Sequence, residues 1–423
     1  MKKLLLLFCI LFATVTHGQK SYLHCGKLID TKTGKLLEQQ TVIIEKNKVI
    51  ELSKGFVMPN NPEDTVIDLK TYTVMPGLID MHVHVESEFN PKSYVEPFIL
   101  NEADIALESV QYVEKTLLAG FTTVRDLGGS GVNTAIRNAI NAGKITGPRI
   151  YSAGKAIATT GGHADPTNGW RNDLMGDPGP KEGVVNGVDD CRKAVRERYK
   201  QGVDCIKITA TGGVLSVAKS SSNPQFTVEE VKAICETAKD YGMHVAAHAH
   251  GDEGMRRAIL GGVKTIEHGT MMSEATMDLM KANDVYLVPT ITAGKEVTLK
   301  ADVEGFYPEI VVPKAKEVGP KIQGTFAKAY KRGVKIAFGT DAGVFKHGDN
   351  ALEFEYMVEA GMPAIEAIQA ATITNARVLE NEKIGHIAPG NYADIIAVAG
   401  NPLENIRAMS KVTFVMKDGK IYK

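Results

Sequence analysis

Between residues 75 and 379, short apolar runs alternate regularly with longer amphipathic segments. Apolar runs without polar alternation are typical of strands buried on both faces, and such strands belong to parallel sheets connected by helices. Eight candidate strands follow one another at residues 78–83, 122–126, 149–153, 205–209, 244–249, 265–267, 285–289 and 335–339. The pattern therefore predicts an α/β fold.

Eight strands with helices between them predict a closed, TIM-like (β/α)8 barrel over residues 76–384, with its functional site at the carboxyl ends of the strands. Amphipathic segments at 103–118, 188–200, 227–241 and 308–332 supply helices for its outer layer. An open, doubly wound sheet is the alternative. It is disfavoured because no GxGxxG motif follows an early strand.

The two ends of the chain share a different pattern. Residues 21–74 and 391–422 contain short strand-like runs separated by Asp, Asn, Gly and Pro, with a hairpin turn at 417–420. Because β-rich ends flank an α/β middle, we predict one small β-sandwich built from residues 19–75 and 385–423. Strand pairing between the two ends tests this prediction.

Residues 1–18 have the features of a secretory signal peptide: two lysines near the start, an apolar stretch at 4–15, and a small residue at position 18. The apolar stretch is too short to span a bilayer, although an N-terminal membrane anchor is the alternative. No second segment reaches membrane length. We therefore expect a periplasmic or secreted protein that keeps no stable membrane anchor after cleavage.

The composition argues against two other classes of protein. The chain has 49 Lys and Arg against 50 Asp and Glu, whereas proteins that bind nucleic acids concentrate basic residues, so we expect no nucleic-acid partner. Four cysteines remain beyond residue 18, and none forms a CxxC pair. This spacing excludes a zinc ribbon and favours small buried thiols, with a disulfide left open.

Histidines stand at the ends of several predicted strands. His82 and His84 end the first strand and share one face because strand side chains alternate with period two. His248 and His268 end the fifth and sixth strands, and Asp341 follows the eighth. Since the ends of barrel strands meet at one rim, this pattern indicates a metal site. A surface histidine pair and an aspartate that caps a helix are the alternatives.

Lys207 lies inside an apolar strand, where a charged ammonium group is poorly tolerated. One interpretation is that its alkyl chain lets the charge reach water. The other is that a lowered pKa lets the amine react with CO2, which gives a carbamate that bridges two metal ions.

Together these residues resemble the amidohydrolase superfamily from about residue 27 to residue 422, and the segments 75–80 and 388–394 are also similar to family patterns. The resemblance implies two divalent metal ions, with zinc as the first expectation. One ion would be held by His82, His84 and Asp341 and the other by His248 and His268, with carboxylated Lys207 as the bridge.

Segments 160–166 and 248–251 are similar to the branch that contains Xaa-Pro dipeptidases and related carboxypeptidases. This resemblance implies that a metal-bridging hydroxide attacks the peptide bond of a dipeptide or short peptide, with Asp341 and Lys207 as the catalytic residues. His163, His250 and Arg171 are the candidate substrate contacts, in or near a long segment, 159–185, that we interpret as a lid. Barrels of this family commonly associate, so a homo-oligomer is also implied.

Two other functions remain open at this point. Related enzymes that resemble imidazolonepropionase or dihydroorotase hydrolyse cyclic amides or lactones, although export would separate such an enzyme from cytoplasmic intermediates. A non-catalytic binding protein on the same barrel is a second alternative. It is disfavoured because all six predicted ligand positions carry residues that can bind a metal.

Overall fold

The computed structural model describes residues 19–423, so the predicted signal peptide lies outside the described residues. Its strands are β1 (Lys20–Asp30), β2 (Lys35–Glu45), β3 (Lys48–Lys54), β4 (Thr65–Pro76), β5 (Leu78–Val83), β6 (Phe121–Asp126), β7 (Arg149–Ser152), β8 (Ala158–Thr159), β9 (Val184–Val185), β10 (Ile206–Thr209), β11 (Val245–Ala249), β12 (Thr265–His268), β13 (Tyr286–Val288), β14 (Lys335–Ile336), β15 (Ile395–Ala399), β16 (Val412–Lys417) and β17 (Lys420–Ile421).

The α-helices are α1 (Glu102–Leu118), α2 (Val132–Asn141), α3 (Asn172–Met175), α4 (Val188–Lys200), α5 (Val228–Asp240), α6 (Asp252–Gly261), α7 (Glu274–Ala282), α8 (Ile291–Lys300), α9 (Val311–Val318), α10 (Ile322–Lys331), α11 (Leu352–Glu359), α12 (Ala364–Gln369) and α13 (Asn375–Val378). Short 3-10 helices occupy Glu96–Phe98, Gly319–Lys321 and Ile406–Ser410, and Ala370–Thr374 forms a π-helical turn. None of the helices within residues 19–423 is both long and apolar enough to cross a bilayer.

Eight parallel strands close into the predicted barrel. Strands β5, β6 and β7 form one run, and β10 to β14 form the other. The runs join at bridges between Ile157 and Ile208 and between Val83 and Ala342. The (β/α)8 prediction is therefore confirmed, and every predicted barrel strand overlaps an observed one.

Helix α5 illustrates how the local sequence builds the outer layer of the barrel. The Thr227 side chain accepts a hydrogen bond from the Glu230 backbone N–H and the Glu230 carboxylate accepts one from the Thr227 N–H, which together form a capping box. Val231, Ile234 and Ala238 recur at helical spacing and are fully buried against the barrel. One polar start signal and one apolar face thus place this helix.

Both ends of the chain join one seven-stranded sheet in the order β17-β16-β15-β4-β1-β2-β3, where β15 pairs antiparallel with β4. The edge at β3 folds back, because Val49 N–H donates to Asn391 O over 3.0 Å and Gly390 N–H donates to Val49 O over 2.8 Å. The predicted sandwich is thus a single sheet folded around its own apolar core. Cys25, Cys191, Cys205 and Cys235 are all free thiols.

Candidate active site

The structure brings the six predicted ligands together at the carboxyl ends of the barrel strands. His82, His268 and Asp341 each offer a ligand atom within 4.8 Å of the other two. His84 Nε2 lies 3.1 Å from Asp341 Oδ1, and Lys207 Nζ lies 3.4 Å from His82 Nε2.

His248 completes this group from the neighbouring strand β11. Its ring centroid lies 4.7 Å from that of His268, and its Nε2 donates a hydrogen bond to Gly212 O over 3.0 Å. The Nδ1 lone pair of His248 therefore stays available. Four imidazoles, one carboxylate and one lysine amine share the site.

The backbone bends sharply where three of these strands end. His268, Thr290 and Asp341 adopt positive φ angles of 70°, 51° and 63°, a region that residues other than glycine rarely occupy. Asp341 N–H donates to His82 O over 2.7 Å, which holds the bend after β14 against β5. These bends are held by tertiary contacts, and such backbone strain concentrates at functional sites.

Burial keeps the inner imidazoles neutral. Loss of solvent lowers the pKa of His82, His248 and His268 well below the usual value, and neighbouring positive groups lower it further. A neutral imidazole has the free lone pair that metal coordination requires. Burial also acts to lower the pKa of His84, but its contact with Asp341 outweighs this and raises the pKa.

Lys207 is buried at 4% exposure, and burial lowers the pKa of its ammonium to about 8. Within residues 19–423, no carboxylate lies within 4.0 Å of its nitrogen. The lowered pKa therefore increases the unprotonated fraction of this amine near neutral pH, and the unprotonated form is the one that reacts with CO2.

Asp341 is the carboxylate of the site. Burial acts to raise its pKa, but nearby His82 and His84 outweigh burial and lower the pKa, so Asp341 is ionised at neutral pH. Its Oδ1 accepts no well-aligned hydrogen bond from any described residue. The group is therefore available to bind a metal or to accept a proton.

Second contacts orient the histidine rings. His82 Nδ1 donates to Glu267 Oε2 over 2.9 Å, and His84 Nδ1 donates to Gly128 O over 2.7 Å. His268 Nδ1 and Thr290 Oγ1 share a hydrogen bond of 2.7 Å. The carboxylate and the carbonyl can only accept, so they hold the proton on Nδ1 of His82 and His84 and leave Nε2 as the ligand atom, while the Thr290 hydroxyl orients the His268 ring.

Glu267 and Thr290 are not among the site residues predicted from the sequence. Glu267 could have been predicted, because a charged residue inside an apolar strand needs a partner of opposite charge. Arg125, inside another predicted strand, is a candidate for that partner. Thr290 gave no comparable signal, since threonines are common at the ends of strands.

His163 and His250 also line the cavity next to His248. The ring centroid of His163 lies 4.4 Å from that of His248, and its buried Nδ1 has no hydrogen-bond partner among the described residues. His250 Nδ1 and Thr270 Oγ1 share a hydrogen bond of 2.8 Å. Burial lowers the pKa of both histidines to about 3, so both are neutral at physiological pH.

Arg171 is the predicted site residue that the structure does not bring to the cavity. Its guanidinium is 76% exposed and pairs with Asp173 at the start of α3, over 2.6 Å. A carboxylate two residues away holds the arginine facing solvent, so the geometry does not support a substrate contact. The adjacent Trp170 lines the cavity instead and packs on Phe98 with ring centroids 4.9 Å apart.

The six grouped residues contribute to the floor of a cavity of about 1090 Å³. Segment 159–185, the predicted lid, forms part of the wall through residues between His163 and Glu182. Its two ends are joined by pairing of β8 with β9. An apolar part of the lining is formed by Phe89, Leu100, Ile105, Leu215 and Val344. The cavity is large enough for a short peptide.

Comparison with known proteins agrees with the family predicted from the sequence. The family model described as "Amidohydrolase family" matches residues 73–422. A crystal structure described as a Xaa-Pro dipeptidase with bound methionine in the active site is 54% identical, with a TM-score of 0.93 over 96% of this chain and 100% of that chain.

Two further relatives are similar over nearly the whole chain. A prolidase solved with N-methylphosphonate-L-proline is 32% identical, with a TM-score of 0.87 over 96% of this chain and 100% of that chain. Ochratoxinase from Aspergillus niger is 31% identical over 98% of this chain and 89% of its own length.

Proposed function

Because the chain belongs to the amidohydrolase family and is thus a hydrolase of amide or peptide C–N bonds, we propose that it is a binuclear metallopeptidase. Its substrates would be dipeptides or short peptides. The convergence of four histidines, Lys207 and Asp341 on one cavity floor carries the proposal. The similarity to an Xaa-Pro dipeptidase and a prolidase supports the choice of substrate.

The donor set fits two divalent ions. His82, His84 and Asp341 would hold one ion, and His248 and His268 the other, with carboxylated Lys207 between them. Neutral imidazoles and carboxylates suit zinc, manganese, cobalt or iron, with zinc as the first expectation. When bound, such ions supply a water of lowered pKa and polarise a carbonyl oxygen.

Asp341 provides the proton transfer that amide hydrolysis needs. Its ionised carboxylate accepts a proton from the attacking water and returns it to the nitrogen of the leaving amine. This transfer is required because an amide anion is a poor leaving group. Asp341 Oδ1 is buried and accepts no well-aligned hydrogen bond from the described residues, which supports this assignment.

His163 and His250 would bind the substrate beside His248. Both rings are neutral, and His163 Nδ1 has no partner among residues 19–423, so this atom can donate to, or accept from, a polar group of the substrate. Trp170 and the apolar wall would cover the side chains of the peptide.

A substrate panel tests the proposal. Purified protein loaded with zinc is incubated with Xaa-Pro, Xaa-Arg, Xaa-Lys and N-acyl amino acid substrates, and the release of free amino acid is measured. We expect cleavage of at least one peptide series. Turnover of lactams or lactones without any peptide cleavage would replace the peptidase assignment by hydrolysis of cyclic amides.

We also propose that residues 1–18 direct export of the enzyme, since they combine a positive start with a short apolar stretch. Fusion of these residues to a phosphatase that is active only outside the cytoplasm tests this. Phosphatase activity is expected, and its loss when residues 4–15 are made polar is the control.

A further inference from the structure

We propose that Glu267, itself held by Arg125, is a positioning residue that fixes His82 as a metal ligand and thereby sets the metal affinity of the site. The inference rests on the metal centre of the proposed function and is independent of its substrate. It concerns a charged layer inside the barrel, below the cavity floor.

Glu267 reaches the site through one hydrogen bond. Its Oε2 accepts from His82 Nδ1 over 2.9 Å, while His82 Nε2 lies 3.4 Å from Lys207 Nζ and 3.5 Å from Asp341 Oδ1. The carboxylate therefore holds the ring so that its second nitrogen points to the other ligands. A carboxylate behind a ligating imidazole also increases the basicity of the ring.

Arg125 holds Glu267 in place. Its guanidinium donates to Glu267 Oε1 over 2.9 Å and to Met81 O over 2.8 Å, the carbonyl immediately before His82. Thr265 and His244 provide further partners for the layer. Arg125 and Glu267 are both fully buried, so water does not screen their interaction.

The arrangement also separates Glu267 from Lys207. A buried carboxylate near a buried amine would ordinarily form an ion pair with it, because both groups lose hydration. Here Arg125, Thr265 and His82 occupy the carboxylate oxygens, and no described carboxylate lies within 4.0 Å of Lys207. Arg125 thus leaves the Lys207 amine free for its own role in the site.

A purely structural role for this ion pair makes a different prediction. Arg125 on β6 and Glu267 on β12 lie on strands that are not adjacent, so the pair also joins opposite parts of the barrel. If that were its whole role, removing it would lower the stability of the metal-free protein and leave its metal affinity unchanged.

The test compares three variants with the wild type. Glu267→Gln keeps an oxygen for His82 but removes the charge, and Glu267→Asp keeps the charge with a shorter reach. Asp394→Asn is the matched control, because Asp394 is 3% exposed and pairs with Arg149 over 2.6 Å far from the cavity. For each protein, zinc affinity is measured by competition with a chelator, and the melting temperature is measured without metal.

We expect Glu267→Gln to bind zinc about 10- to 100-fold more weakly than the wild type, the usual effect of losing such a partner. Glu267→Asp should recover part of this loss. The absorption spectrum of its cobalt-loaded form should be closer to that of the wild type than the spectrum of cobalt-loaded Glu267→Gln is. Asp394→Asn should lower the melting temperature and retain wild-type zinc affinity.

Wild-type zinc affinity in Glu267→Gln would overturn the inference. So would a loss of affinity in Asp394→Asn of the same size, because the effect would then follow stability alone. Failure of the proposed function gives a distinct result, since the wild type itself would then bind no zinc or cleave no peptide.

Discussion

Single residues at the ends of the barrel strands determine what this molecule can do. Six of them can be predicted from the sequence because each interrupts or follows an apolar run, where a polar side chain is unexpected: His82, His84, Lys207, His248, His268 and Asp341. Thr290 cannot be predicted in this way, because its contact with His268 depends on two positive φ angles set by tertiary packing. Period-two alternation also predicts that the neighbouring side chains of Glu267 and His268 point to opposite faces of their strand. The backbone bend at His268 instead lets both side chains lie in the barrel interior.

Asp341→Asn tests the proposed base. The amide can still bind a metal weakly through its oxygen, but it cannot accept the proton that the leaving nitrogen needs. We expect kcat to fall by about 100- to 10,000-fold, the range for loss of general acid–base catalysis, while some metal remains bound. Substantial residual turnover with bound metal would refute this role for Asp341.

Lys207→Ala tests the carbamate. Removal of the amine leaves a space that a small carboxylate such as formate can enter, so added formate should restore part of the metal content and of the turnover. Lys200→Ala, at the exposed end of α4, is the matched control and should keep its metal content and turnover without added formate. Full metal loading and turnover by Lys207→Ala without any added carboxylate would contradict the assignment.

At the scale of elements, helix α8 connects a buried carboxylate to the site. Glu353 on α11 accepts hydrogen bonds from the Ile291 and Thr292 N–H groups at the start of α8, each over 2.8 Å. The preceding residue is Thr290, the partner of His268. Glu353 thus anchors the helix start that orients one candidate ligand.

Burial raises the pKa of Glu353 to about 8 from 4.5. The folded protein therefore binds a proton that the unfolded chain loses near pH 4.5, so this group's contribution to stability decreases as pH rises from about 4.5 to 8. The slope is at most about 1.4 kcal/mol per pH unit. Glu353→Gln should remove this part of the slope, measured by urea unfolding of metal-free protein at pH 5 to 8. An unchanged dependence of stability on pH in Glu353→Gln would contradict this prediction.

At the scale of the whole molecule, the terminal sheet has its own core on one face and contributes its other face to the barrel core. Along β15, Ile395 and Ala397 pack inside the sheet, while Ile396 and Val398 pack into the barrel core. The alternation of strands and helices predicted the barrel, and the β-rich ends predicted their pairing. The fold-back of the β3 edge was not predictable, because it depends on backbone hydrogen bonds to residues 390–393 that carry no side-chain signal.

The packing of one sheet face into the barrel core predicts that the sheet and the barrel unfold together. Ile396→Ala should cost about 2 to 5 kcal/mol, as for other large-to-small core substitutions. Hydrogen exchange should then accelerate equally for the slowest amides of β1 in the sheet and of β11 in the barrel. Acceleration confined to the sheet would show that the two parts unfold independently.

The central claim is that the six grouped residues bind the metal ions on which peptide hydrolysis depends. The most direct test is a titration of zinc into metal-free protein while proline release from an Xaa-Pro dipeptide is measured. We predict no release without metal and a rate that rises to a plateau near two zinc ions per chain. Undiminished hydrolysis by metal-free protein, or a plateau reached without zinc bound at these residues, would contradict the claim.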